Sequence, residues 1–119
     1  MTCLTAGHAT ASRITRRLAK SRRTFHPDPQ ANTRRAAFSV PANIVEGFAR
    51  SSNLEKVRFF NIASASLNEL EYALHAARRL GYLTVAEFEQ LAQKVRSVSG
   101  PLQGLIRSHR TRIAASRGA

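Results

Sequence analysis

The chain has 119 residues, enough for one domain with a modest core, and its 43% hydrophobic content favours a packed fold over disorder. Its 19 basic and 7 acidic residues give a net charge of +12, which favours a polyanionic partner, RNA or DNA before an anionic membrane. No apolar run has the length of a membrane span or a secretory signal, and Cys3 has no second cysteine to pair with, so we expect a cytoplasmic protein without a membrane partner.

Residues 1–27 are predicted to form a basic N-terminal arm or a divergent first helix. Ile14 and Leu18 allow a short amphipathic helix from about Ser12 to Arg23, but two large apolar residues make a thin stripe. The composition also resembles an organellar transit peptide, and a poorly ordered arm is the third possibility. Residues 1–35 carry +7 of the net charge, eight basic residues against Asp28. The candidate nucleic-acid-binding residues are Arg13, Arg16, Arg17, Lys20, Arg22, Arg23, Arg34 and Arg35.

A second helix is predicted from Asp28 towards Ala49. Asp28 followed by Pro29 suits an N-cap and a first helical position. Pro41 must either kink this helix or begin a new one capped by Ser39. The predicted apolar face consists of Ala37, Val40, Ile44 and Phe48.

A polar stripe on the same helix, formed by Arg35, Ser39, Asn43, Glu46 and Arg50, has two interpretations. It mixes arginine with amide and carboxylate groups, as a binding site would. Alternatively, Glu46 supports Arg50 as an i,i+4 pair and the other members tie neighbouring helices together. We favour the structural role, because no nucleophile in the stripe has an adjacent base. With Gly47, a flat spot where another backbone could approach, the structural or interface motif comprises Arg35, Ser39, Pro41, Asn43, Glu46, Gly47 and Arg50.

The longest helical signal runs from Leu54 to Leu80. Ser52 and Glu55 have the spacing of a capping box, and Gly81 lies where a left-handed residue would end the helix. The apolar face of this helix is wider than the two positions per heptad of a simple seam, which predicts contact with more than one neighbouring helix. The core face comprises Phe60, Ala63, Leu67, Leu70, Leu74 and Ala77, widened by Phe59, Ile62 and Ala73.

The last helix is predicted to begin after a capping box formed by Thr84 and Glu87. Gly100 and Pro101 predict a bend near Ser97, not an end, because the apolar period resumes in phase. The helical bundle domain is predicted over residues 28–110, and residues 111–119 are predicted to be a basic disordered tail. The core face of this helix comprises Phe88, Leu91, Val95, Val98, Leu102 and Leu105.

No residue pattern indicates catalysis, a metal site or a cofactor. The acidic pairs at positions 69/71 and 87/89 diverge on their helices and do not converge on a substrate. Glu71 and His75 lie away from the apolar stripe, so they do not form an inward-facing metal site. Ser108 and His109 fall in the expected frayed end without a partner. We therefore expect a protein that is not an enzyme.

The run from Arg34 to Arg50, RRAAFSVPANIVEGFAR, resembles the signature of one bacterial family, and three later motifs follow in the same order. This is the family of small four-helix-bundle proteins encoded in intervening sequences of 23S ribosomal RNA genes. The later motifs are Phe59-Phe60, SLNELE at 66–71 and LGYL at 80–83.

The resemblance implies an all-α, up-and-down four-helix bundle that assembles into a ring-shaped homopentamer. One relative serves as the accessory protein of a reverse transcriptase in diversity-generating retroelements, where a positively charged surface engages nucleic acid. Members usually open with a long amphipathic helix bearing a tryptophan, and this chain has none. The first helix is therefore predicted to be weak or divergent.

Two classes of function follow from the sequence. In the first, the protein is a nucleic-acid-binding accessory factor whose basic residues neutralise phosphates without reading bases. In the second, it is a homo-oligomeric assembly or scaffold module whose partner is a protein. A basic tail outside the apolar seam favours the first class, and a wide apolar stripe on a bundle with a weak first helix favours the second.

Overall fold

The structure, a computed structural model, describes residues 29–118, which form three α-helices joined by two short turns. Helix α1 spans Pro29–Ala49, α2 spans Asn53–Arg79 and α3 spans Val85–Gly118. Helix α2 packs against both α1 and α3 and is the central element. Because turns of this length reverse the chain, consecutive helices are antiparallel, as the sequence predicts.

Both ends of α2 are capped by the residues that the sequence indicates. The amide N–H of Glu55 donates to Oγ of Ser52 at 3.2 Å. Gly81 has φ of +78°, a left-handed conformation that only glycine adopts without strain. The amides of Gly81 and Tyr82 then reach back to the carbonyls of Arg78 and Ala77 at 3.1 and 2.9 Å. This pair of bonds is a Schellman motif, which ends the helix and turns the chain towards α3.

The start of α3 is a complete capping box. The amide of Glu87 donates to Oγ1 of Thr84 at 3.1 Å, and the amide of Thr84 donates to Oε1 of Glu87 at 3.2 Å. Leu83 and Phe88 are both buried on either side of the cap, as a hydrophobic staple requires. The polar spacing and the flanking apolar pair therefore fix where α3 begins.

The core confirms most of the predicted apolar faces. All six core-face residues of α2 are buried, and Phe60 and Leu74 are fully so. The predicted seam of α3 is buried through Leu102, but Ile106 then replaces Leu105 as the core residue. The face predicted for α1 is wrong at its end, because Phe48 is 56% exposed. Gly47 faces the core in its place, and adjacent helical positions point about 100° apart.

Neither internal proline ends its helix. Pro41 lies within α1 and Pro101 lies within α3. The alternative of a new helix beginning at Ser39 is wrong, because α1 is continuous through that position. A proline removes a single backbone hydrogen bond, and Val40, beside it, is buried in the core and holds the segment against α2. The predicted N-terminal arm or first helix lies outside the described residues.

The C-terminal end differs from the expected disordered tail, because α3 remains helical through Gly118. His109 and Ile113 follow Ile106 at spacings of three and four, so the core-facing side continues beyond Ile106. Thr111 adds a bond from its hydroxyl to the carbonyl of Arg107 at 2.9 Å. A basic last turn also suits the negative end of a helix. The tail prediction is therefore wrong for residues 111–118.

Candidate nucleic-acid interface

The polar stripe of α1 is held together by short-range contacts. Arg50 pairs with Glu46 one turn away, and its guanidinium lies 4.9 Å from the centre of the Phe59 ring. Asn43 donates from Nδ2 to the backbone oxygen and the hydroxyl of Ser39, at 2.7 and 2.9 Å. Both charged side chains of the ion pair are more than 40% exposed, so solvent screening limits its contribution to at most about 1 kcal/mol.

Only part of the predicted structural or interface motif joins α1 to α2. The hydroxyl of Ser66 donates to that of Ser39 at 2.7 Å, and Arg50 reaches Phe59 across the turn. Gly47 lies under the ring of Phe60. Arg35 instead bonds Asn32 within its own helix at 3.1 Å. The contacts are those of a helix-joining surface, with Glu46 and Arg50 at its solvent edge.

Two of the eight candidate nucleic-acid-binding residues lie within the described residues, and six lie outside them. Arg34 and Arg35 lie in the first turns of α1, where both are exposed. The remaining candidates lie outside residues 29–118: Arg13, Arg16, Arg17, Lys20, Arg22 and Arg23.

The described helices carry a second basic region, which we call the basic end: residues 46–62 and 103–118, around the α1–α2 turn and the last turns of α3. It holds seven basic residues and two acidic ones, a net charge of +5. The rest of α2 and α3 holds four of each and is balanced. The basic residues of this end are Arg50, Lys56, Arg58, Arg107, Arg110, Arg112 and Arg117.

Side chains from α2 and α3 meet along one edge of the basic end. At the border of the basic end, Gln103 donates from Nε2 to the hydroxyl of Ser64, two residues outside it, at 2.7 Å. Arg110 reaches Oδ1 of Asn61 at 3.4 Å, and Arg107 beside it is exposed. Amide, hydroxyl and guanidinium groups of this kind are the usual donors to phosphate oxygens. The edge therefore presents phosphate-binding chemistry on two rigid helices.

Sequence reasoning missed this edge, because no local pattern places residues 61–64 of α2 beside residues 103–110 of α3. The assignment of residues 111–119 to a disordered tail also left Arg112 and Arg117 out of the helix. One signal was present in the sequence: Arg107, Arg110, Ala114 and Arg117 alternate spacings of three and four, so they share one helical face.

A buried histidine anchors α3 at the basic end. His109 is 8% exposed, and its Nδ1 lies 2.8 Å from Oδ1 of Asn53, the first residue of α2. This contact fits a neutral ring with the proton on Nδ1. The ring also lies 5.8 Å from that of Phe60. Burial, and then the charges of Arg112 and Lys56, lower the pKa of His109.

Acidification is expected to destabilise the fold through His109. Below the unfolded pKa of 6.5 the unfolded chain binds a proton that the folded chain resists, because the folded pKa is lower. The histidine's contribution is therefore complete above pH 6.5 and is lost as the pH falls through the folded pKa. Urea midpoints measured from about pH 7.5 to 5 should fall more steeply for the parent than for His109→Gln. Equal slopes for the two proteins would contradict this assignment.

Within residues 29–118, no group of three or more histidine, cysteine or acidic side chains is placed to hold a metal ion. Each helix within that range is too short or too polar to span a bilayer.

Comparison with known proteins identifies the family. The model of the 23S rRNA-intervening sequence protein family matches residues 5–104. The chain belongs to this family. The sequence-based prediction of membership is thus confirmed, and this member shares its fold with a solved structure. That structure, from Bacteroides thetaiotaomicron VPI-5482, is described as a protein with unknown function from the S23 ribosomal protein family.

The two chains superpose with a TM-score of 0.73 at 24% sequence identity, covering 87% of this chain and 97% of the Bacteroides chain. An identity this low shows a common fold alone. Comparison with curated proteins found no significant match.

Proposed function

We propose that this family member is a non-enzymatic, nucleic-acid-binding accessory factor that engages phosphates through a basic surface without reading bases. The observation that carries the proposal is the basic end, which holds seven basic residues and only two acidic ones. One of those two carboxylates, Glu46, is already paired with Arg50. The remaining positive field is available to a polyanion, and its effect depends on salt.

The N-terminal candidates extend the same chemistry. Six basic residues precede Pro29 against one acidic residue, so this segment adds +5 to the +7 carried by residues 29–118. Binding by such residues releases counterions from the phosphate backbone and has little dependence on sequence. The two regions together would neutralise many phosphates of RNA or DNA with little sequence specificity.

The proposed assembly is an up-and-down four-helix bundle, with residues before Pro29 supplying a divergent first helix to the three described helices. The family match supports this, because it begins at residue 5 and so includes the segment before α1. By resemblance, the assembly is a homopentamer whose subunit contacts lie near Arg35–Arg50, and a reverse transcriptase is a candidate protein partner.

Replacing Arg13, Arg16, Arg17, Arg22 and Arg23 with alanine is expected to weaken binding to all sequences alike. Each phosphate that is no longer neutralised should reduce the slope of log affinity against log salt by about 0.9 on duplex DNA and about 0.7 on single strands. Binding to RNA and DNA of several sequences is measured by electrophoretic mobility across a salt series. Lysine at the same five positions is the control, because it preserves the charge and should preserve most of the slope.

The alternative is a homo-oligomeric scaffold without a nucleic-acid role. The exposed apolar residues Val45 and Phe48 on α1, at 53% and 56% exposure, favour it because they suit a protein contact. If the parent protein does not bind at low salt but light scattering shows an oligomer, the scaffold function is the better one. The same holds if the five alanine substitutions leave the salt slope intact and charge changes in the basic end also have no effect.

A further inference from the structure

The last turns of α3 continue beyond the helix that supports them. His109 contacts Asn53, the first residue of α2, and Ile113 is the last residue packed against the core, so residues 114–118 continue without a packing partner among the described residues. Five residues correspond to about 7 Å of helix. Ile113 is half-buried against the core, and every residue from 114 to 118 is exposed. We call residues 107–118 the terminal segment.

The terminal segment has one strongly basic face, with small side chains between its arginines. Arg107, Arg110 and Arg117 share a face with Ala114, and Arg112 adds a further charge. No acidic residue follows Glu89 in the chain. Ala114, Ala115 and Ser116 have small side chains, so another molecule can approach the helix backbone closely between the arginines.

We propose that the terminal segment enters the major groove of double-stranded DNA, with its arginines on the phosphates along the groove. This inference rests on the proposed function and names the nucleic acid that the basic end prefers. An α-helix with its side chains is about 10–12 Å wide, and the major groove of B-form DNA is about 12 Å wide. The major groove of A-form RNA is deep and too narrow for the same approach.

Single strands fit the segment less well. Proteins that hold single-stranded nucleic acid stack its bases on exposed aromatic side chains. Within residues 103–118 the only ring is that of His109, which is buried against Phe60. The terminal segment therefore offers charge and shape to a duplex, without a stacking platform for free bases.

The contacts at its base hold the segment rigid before DNA arrives. His109 fixes the helix to Asn53 at the start of α2, and Arg110 reaches Asn61 of the same helix. A preformed helix loses little conformational freedom on binding.

The charge test compares two triple variants with the same change in net charge. Arg110, Arg112 and Arg117 become alanine in one, and Arg79, Lys94 and Arg96 in the balanced part of the molecule become alanine in the other. In the first variant, affinity for a duplex DNA at about 0.1 M salt is expected to fall by roughly fivefold to tenfold for each phosphate that is no longer neutralised. The second variant should bind much more tightly than the first. Equal affinities for the two variants would overturn the proposal and leave a general charge effect.

The geometry test keeps the charge and distorts the helix. Ala114→Pro removes a backbone hydrogen bond and disrupts the turns around it, and residues 114–118 are exposed, so they lack the core packing that holds the segment around Pro41. Affinity for duplex DNA is therefore expected to fall at least about threefold. Ala114→Ser is the control and should bind as the parent does. Circular dichroism confirms that the rest of the fold is intact in both. A proline variant that binds DNA as tightly as the parent would overturn the proposal.

The third comparison uses the full-length parent with DNA and RNA duplexes of the same sequence. Tighter binding to DNA supports insertion into the major groove, and equal or tighter binding to RNA overturns it while leaving the proposed function standing. Absence of binding to every nucleic acid would instead remove the proposed function itself. The two failures are thus distinguishable.

Discussion

The Leu70→Asp variant is expected to lose its helical fold. Leu70 is 1% exposed at the middle of α2, the helix that packs against both others. Truncation of a buried leucine alone costs about 2–5 kcal/mol, and the carboxylate adds the cost of an unpaired buried charge. Domains of this size have a total stability of about 5–15 kcal/mol. Circular dichroism and thermal melting should therefore show an unfolded or severely destabilised chain.

The control for this prediction lies two positions away. Tyr72 is 77% exposed on the same helix, so Tyr72→Asp adds the same charge without burying it and should leave the melting temperature nearly unchanged. A Leu70→Asp protein as helical and heat-resistant as its parent would show that the assigned core face is wrong.

The Gly47→Ala variant is expected to be destabilised by about 1–3 kcal/mol, although alanine is the better helix former. A Cβ at position 47 would lie 2.5 Å from Cε1 and 2.8 Å from Cδ1 of Phe60. Phe60 is fully buried. The centroid of its ring lies 5.3 Å from that of Phe48 and 5.8 Å from that of His109. The ring has no space to move into, so α1 must shift away from α2. Urea unfolding measures the change in free energy.

The same substitution at Gly104 should have the opposite sign. A Cβ there meets no atom within 4 Å, so Gly104→Ala gains helix propensity, up to about 1 kcal/mol. A double-mutant cycle tests the cause at Gly47, because the penalty should shrink when Phe60 is shortened to leucine. If Gly47→Ala costs as much with leucine at position 60, the contact with the ring is not the reason.

The helices of this protein were predictable where apolar periodicity and capping residues agree. The six core-face positions from Phe60 to Ala77 are all buried, because a helix packed on both sides shows its period over many turns. Ile62, which was predicted to widen that face, is 43% exposed. The sequence also predicted the caps at Ser52 and Thr84 and the turn at Gly81. Capping depends on residues three apart, so no tertiary information is needed to find it.

The sequence was less informative where burial does not coincide with an apolar residue. His109 occupies a core position of α3 that a hydrophobicity pattern counts as polar, so the pattern ended too early. Its partner Asn53 is 56 residues away in the chain, and nothing local indicates that contact. The flat spot at Gly47 was anticipated, but its neighbour is the ring of Phe60 and not another backbone.

The candidate nucleic-acid interface was likewise predictable in part: local sequence features were found, and features that depend on tertiary contacts were missed. The charges before Ala36 are evident from composition, whereas the basic end depends on which residues of α2 and α3 lie together in space. Arg58 and Arg110 are far apart in sequence, and only the antiparallel packing of their helices places them in one region.

The uneven charge along α2 and α3 has a consequence for how the protein meets a partner in solution. One end carries +5 and the remainder of these helices is neutral, so a distant polyanion exerts a torque as well as an attraction. Within about 8 Å at physiological ionic strength, where screening is incomplete, these helices would turn the α1–α2 corner towards the polyanion. Encounters through α2 and α3 would then begin at this end, so fewer orientations are tried before the first contact is made.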